Sequence, residues 1–280
     1  MDDQRIGFHH YLRGIVLGAM ALFLFRMTLY GDLKYYLAPK LMIYTHISIV
    51  ALALLSLVHF VLPPEHHHES CDSCTHHHAL PKKGLPTLIF FSLFFLPIAT
   101  GFAFPHHTLG EDAAANRTMN KNLAKQAQGA SSAPAGAQRT PISQQQFDGL
   151  KKKLLRQRQI TVDDTYYTYI LNLLNQDPEI FKGKPLVLKG FVYRGKQTAP
   201  GEIMTARFGI SCCIADASVY GLLTRGAVSE LKKDSWIRVS GILDVTKHAG
   251  VPVPVLTRSK IQKIKEPRHP YVYDNGILLD

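Results

Sequence analysis

The stretch LMIYTHISIVALALLSLVHFVL, residues 41–62, contains no Asp, Glu, Lys or Arg, and two similar stretches flank it at residues 12–30 and 85–104. At about 1.5 Å of rise per residue, each can cross a hydrocarbon core of about 30 Å. The sequence therefore predicts three transmembrane helices in residues 1–110, the membrane domain. Their charged side chains are Arg13 and Arg26. Both lie near the ends of the first helix, where a long side chain can reach the interface, and Arg26 is read as an anchor beside Tyr30. Pro97 is tolerable where neighbouring helices satisfy the freed carbonyl.

Outward from these spans the chain changes character. Residues 1–110 carry seven Lys/Arg against six Asp/Glu, so of the formal net charge of +11 nearly all falls on residues 111–280. The mean hydropathy of −0.01 averages over this division. Four cysteines are too few for a disulfide-built fold, and no collagen or heptad period is present. The end of the first span, Thr28-Leu29-Tyr30-Gly31-Asp32, lacks a small-x-small cleavage pattern and is read as a retained anchor. Lys and Arg counts in the short loops place the N-terminus and the 63–84 loop in the cytoplasm, and the C-terminal domain outside a bacterial plasma membrane.

Residues 111–146 are rich in Ala, Gln, Asn and Ser and are expected to form a flexible linker. Residues 147–280 are expected to form a soluble domain. Its first helix, residues 147–156, has apolar positions at three- and four-residue steps beside a basic face; it reads as a surface helix, with a lipid-resting amphipathic helix as the alternative. A second helix follows, capped by Asp163 or Asp164, with Tyr166, Ile170, Leu173 and Leu174 on one stripe. Strands are expected over residues 184–194, 203–214, 236–245 and 253–264, with a helical or loop insert at 218–231 and a bend at Gly241. Their order and length fit a small OB-like β-barrel. The fold class is thus membrane α plus soluble mainly-β.

The most concentrated chemistry lies in the 63–84 loop: His66, His67, His68, Cys71, Cys74, His76, His77 and His78, eight His or Cys among thirteen residues. Imidazole and thiolate suit zinc or another divalent transition metal, and the two-residue gap between Cys71 and Cys74 lets both sulfurs meet one tetrahedral ion. Biased composition and a redox pair are the competing readings. His9, His10 and His59 fall near the loop's side of the membrane, and His46, His106 and His107 near the other. His46 and His59 stand about 20 Å apart along one helix, too far to share an ion. A possible second site is Cys212, Cys213 and Asp216. Neighbouring side chains on a regular strand point to opposite faces, so the two thiols can share an ion only across a turn or bulge. The competing reading is one packed cysteine, one cysteine near a turn, and an aspartate cap.

Motifs of nucleophilic catalysis, phosphate binding and dinucleotide binding are absent, so no enzymatic activity is expected. The basic charge of an OB-like domain fits single-stranded nucleic acid or anionic headgroups; outside the cell nucleic acid is not expected.

Tyr36-Leu37-Ala38-Pro39-Lys40, the His-rich loop, Ala113-Ala114-Ala115-Asn116-Arg117, Gly190-Phe191-Val192-Tyr193-Arg194 and Cys212-Cys213-Ile214-Ala215-Asp216-Ala217 together resemble the YcgQ-like family of bacterial membrane proteins. The resemblance covers nearly the whole chain. Members are often encoded beside a larger membrane permease, which implies an accessory subunit of a transport system. It also favours a functional role for Cys212, Cys213 and Asp216. The reading reached is a membrane-anchored accessory subunit that binds zinc or a similar ion through its loop, with the bilayer, the permease and a further copy of itself as partners. The alternative is an anchored OB-like module that recognises a protein or envelope component, with an incidental His-rich loop.

Overall fold

The computed structural model describes residues 2–62, 84–103, 108–116, 144–195, 198–248 and 250–273. The loop ligands between His66 and His78, and His106 and His107, lie outside the described residues. The chain forms two compact units, Met1–Leu33 with Leu41–His107 and Lys34–Lys40 with Thr108–Asp280.

The first unit is built from α1 (Asp2–Leu29), α2 (Met42–Val61) and α3 (Gly84–Ala103). His10–Leu29 and Pro39–Val61 are long and apolar enough to cross a membrane; the apolar part of α3, Ile89–Ala103, is shorter. In α2 the one buried residue is Ser56, while Ile43, Ile47, Val50 and Leu54 are exposed. So much unburied apolar surface has no place in water and points to association with a membrane. The α1 and α2 backbones approach through small residues: Ser56 Oγ donates to the Gly14 carbonyl at 2.9 Å. A Cβ at Gly18 would lie 2.9 Å from that same Oγ, so glycine sets the spacing. The Arg26 guanidinium lies over the rings of Phe102 and Tyr30, 4.6 and 5.5 Å from their centroids.

The second unit is mainly β. Its strands are β1 (Ile160–Thr161), β2 (Pro185–Tyr193), β3 (Glu202–Ile210), β4 (Ser218–Arg225), β5 (Trp236–His248), β6 (Val251–Lys263) and β7 (Val272–Tyr273). β2 is antiparallel to both β3 and β5, β3 to β4 and β5 to β6, while β4 and β6 are parallel. These pairings close β2, β3, β4, β6 and β5 into a five-stranded barrel, with β1 beside β2 and β7 beside β3. The register of β5 on β6 shifts between Ser240 and Ile242. A Cβ on Gly241 would lie 2.6 Å from the Thr257 carbonyl oxygen, so the bend requires glycine there.

The two-residue period of β2 separates two cores. Leu186, Leu188 and Val192 face an interior also filled by Ile237, Val239 and Leu256. It extends onto α5 (Gln144–Arg156) through Leu150 and Leu154 and onto α6 (Tyr167–Gln176) through Ile170, Leu173 and Leu174. The surface-helix reading of residues 147–156 therefore matches the packing. Of the two expected caps, Asp163 accepts the amides of Thr165 and Tyr166 in the turn before α6, while Tyr166 takes the N-cap position and no side chain caps the helix. Phe191 and Tyr193 face the second core with Met204, Phe208 and Ile210, and Ala38, Ala114 and Tyr271 cover it.

Two expectations about these elements change. Residues 218–225 form a strand, not a helical or loop insert: Gly221 breaks the apolar alternation but lets Met204 and Ala206 of β3 approach, which a side chain would prevent. The stretch expected to be a linker from residue 111 begins with α4 (Glu111–Asn116), whose Ala114 is fully buried and whose Glu111 pairs with Lys233 at 3.1 Å. Small apolar residues, which looked uninformative in sequence, suit this close approach.

Candidate functional site

The strand expected to run to residue 214 stops at Ile210, and the chain turns through Ser211, Cys212 and Cys213 into a single 3-10 turn, Ile214–Asp216. The turn is tied by its own aspartate. Asp216 Oδ1 accepts the Ser211 amide at 3.0 Å, and Oδ2 accepts the amides of Cys212 at 2.6 Å and Cys213 at 3.3 Å. Burial alone would raise the carboxyl pKa. The hydrogen bonds from the Cys212 thiol and these amides outweigh it and hold the group below the usual carboxylate range.

This turn removes the strand alternation that would separate the thiols. Cys212 Sγ and Cys213 Sγ lie 3.7 Å apart, and one ligand atom from each cysteine and from Asp216 fall within 4.8 Å of one another. Both cysteines are free; Cys212 is exposed and Cys213 half-buried. The thiol of Cys212 is pushed up to about 12 by its hydrogen bond to Asp216, with burial and the Cys213 thiol contributing. Because Cys212 is exposed, the carboxylate is the main cause. At neutral pH Cys212 is therefore a thiol beside a carboxylate, a poor nucleophile but a soft donor that a cation can deprotonate.

The backbone of this turn is held from a distant part of the chain. Leu37 bridges Cys213, the Ala38 amide donates to the Cys212 carbonyl at 2.9 Å, and the Ile214 amide donates to the Tyr36 carbonyl at 2.8 Å. Tyr273 Oη adds a bond to the Lys34 carbonyl at 2.7 Å, and burial pushes that phenol up to about 12. Residues 34–40, the connection between α1 and α2, are thus part of the barrel unit. Spacing gave no sign of this pairing; its only trace in the sequence was the run Tyr36 to Lys40.

Arg207 also escaped the sequence reading. It is 1% exposed inside β3, pairs with Asp164, and donates to the carbonyls of His269 and Pro270. Its charge fixes the chain beyond β6 against the barrel, and Asp164, a candidate cap in sequence, serves as its counter-ion.

In the first unit His10 and His59 come together, with ring centroids 4.4 Å apart and ring nitrogens as close as 3.3 Å, and His10 also reaches the Leu62 carbonyl. His46 is exposed on α2. Among the described residues the one group of three or more metal-type donors is Cys212, Cys213 and Asp216.

Comparison with known proteins matches residues 12–120 to the DUF1980 N-terminal domain and residues 138–274 to the DUF1980 C-terminal domain. The UPF0703 protein YcgQ of Bacillus subtilis is 27% identical over 282 residues, covering 93% of this chain and 98% of that protein. A Streptococcus mutans protein described as a "Putative two-component membrane permease complex subunit" is 30% identical over 132 residues, covering 46% of this chain and 48% of that relative. The chain thus spans about half the length of the streptococcal protein. No solved structure matches.

Proposed function

We propose that this chain, which belongs to the DUF1980 family, is a membrane-anchored accessory subunit of a two-component permease and binds a divalent transition ion, zinc foremost. The observation that carries the permease reading is the streptococcal relative described as a subunit of such a complex. The exposed apolar surfaces of α1 and α2 supply the anchor. Three spans alone make a poor pathway, so transport falls to the partner. A tagged chain purified in mild detergent from its native membranes is expected to bring a larger polytopic permease with it in fixed ratio; recovery of the chain without one contradicts the reading.

Three crossings are supported by chain order. Lys34–Lys40 and Thr108–Asp280 belong to one unit, so a chain that leaves that side through α2 has to return before residue 108, and α3 is the segment that can do it. The Lys and Arg counts put the barrel outside and the His-rich loop inside.

The ion-binding element is the loop with His66, His67, His68, Cys71, Cys74, His76, His77 and His78, whose density of nitrogen and sulfur donors fits a chelator with exchangeable ligands. Zinc titration of the full chain is expected to lose stoichiometry when these residues become Ala and Ser. Equal stoichiometry removes the loop from the account.

A further inference from the structure

We infer that Cys212, Cys213 and Asp216 form a second site for a soft divalent cation of the zinc class, separate from the His-rich loop and placed on the barrel. The claim goes beyond the proposed function and does not rest on the loop. It rests on geometry. A tetrahedral ion with thiolate bonds of about 2.3 Å needs its two sulfurs about 3.8 Å apart. Adjacent cysteines in a strand cannot meet that condition, yet the 3-10 turn sets Cys212 Sγ and Cys213 Sγ at 3.7 Å, far longer than a disulfide bond.

The carboxylate has capacity left. An ionised carboxylate offers about four lone-pair positions, and the amides of Ser211, Cys212 and Cys213 occupy three. The fourth is left within reach of the two sulfurs, and a cation would occupy it. Binding therefore releases the two thiol protons to solvent, leaves two thiolates and one carboxylate on the ion, and keeps a fourth position open to water or a partner's side chain. Access is direct because Cys212 is exposed. The site is also preorganised: the hydrogen bonds to the Tyr36 carbonyl and from the Ala38 amide hold the turn on one side, and β3 holds it on the other.

The test uses the full chain in detergent, kept reduced, with Cys71 and Cys74 changed to Ser and the six loop histidines to Ala. Cobalt(II) is the probe. One equivalent is expected to bind with thiolate-to-cobalt charge-transfer absorption, and adding Cys212→Ser and Cys213→Ser is expected to abolish it. Absence of cobalt binding in the loop variant, or unchanged absorption in the combined variant, overturns the inference. X-ray absorption of the zinc-loaded loop variant needs no change in the turn and so holds even if the serine variant misfolds. Two sulfurs at about 2.3 Å are expected, and a shell without sulfur overturns the site. A chain with the loop intact and Cys212 and Cys213 as serine measures the loop alone, so the two readings fail separately.

Discussion

Helix α2 and strand β3 invert each other. The most apolar stretch of Pro39–Val61 has a mean hydropathy of 2.2, yet only 11% of it is buried within the chain. All nine residues of β3 are buried, including Glu202, Thr205 and Arg207. Each exception has a physical cause. The α2 side chains need no protein partner if lipid is their solvent. The polar groups of β3 are paired: Glu202 with Arg225, Thr205 with Thr224, and Arg207 with Asp164 and three carbonyls. Hydrophobicity thus says where a segment can go, and pairing says what it costs to put a polar group there.

Unpairing β3 has the largest expected effect. Arg207→Met is expected to free the chain around residues 269–271, for a loss of about 1–3 kcal/mol for each carbonyl left without its donor, read as a lowered unfolding midpoint. A midpoint within error of the parent would mean that the buried charge contributes little. Next in size is a charge on α2: Leu54→Lys is expected to oppose membrane insertion by about 2.5–3.5 kcal/mol, read as the fraction of chain recovered in membranes, whereas Leu54→Phe should leave it unchanged. Equal recovery of both would show that this face does not meet lipid. Smaller again is Gly18→Val, whose side chain runs into Ser56; it is expected to cost about 1–3 kcal/mol in the helical unit and leave the barrel's unfolding unaltered.

The smallest effects belong to the thiol turn. Asp216 has a lowered carboxyl pKa, so its contribution to stability is present above the ordinary carboxylate range and is lost as pH falls through its lower folded value. An Asp216→Asn chain is expected to lack this part of the acid-side loss of midpoint. The Cys212 thiol is shifted the other way, so its contribution holds below the ordinary thiol value and is lost as pH rises toward about 12. Alkylation of Cys212 at pH 8 is accordingly expected to be slow in the parent and faster in Asp216→Asn; equal rates would deny the carboxylate its hold on the thiol.

Legibility in the sequence followed the same division. Two of the expected spans and four of the five barrel strands could be read because their apolar side chains recur in a regular pattern. β4 could not, because Gly221 serves the neighbouring strand and not its own pattern. The candidate donors Cys212, Cys213 and Asp216 were visible as residues. Their convergence was not, since it depends on β3 ending at Ile210 and on a carboxylate that gathers three successive amides. The pairing of Tyr36 and Ala38 with that turn spans more than 170 positions, and no local pattern encodes it.

On the proposed topology the chain crosses the membrane three times and carries its barrel outside. That topology is tested by labelling intact cells with a membrane-impermeant thiol reagent, in a chain whose four native cysteines are serine. A cysteine at Ser132 is predicted to be labelled and one at Ser70 protected until the membrane is opened. Protection at Ser132, or labelling of both positions from outside, would contradict it.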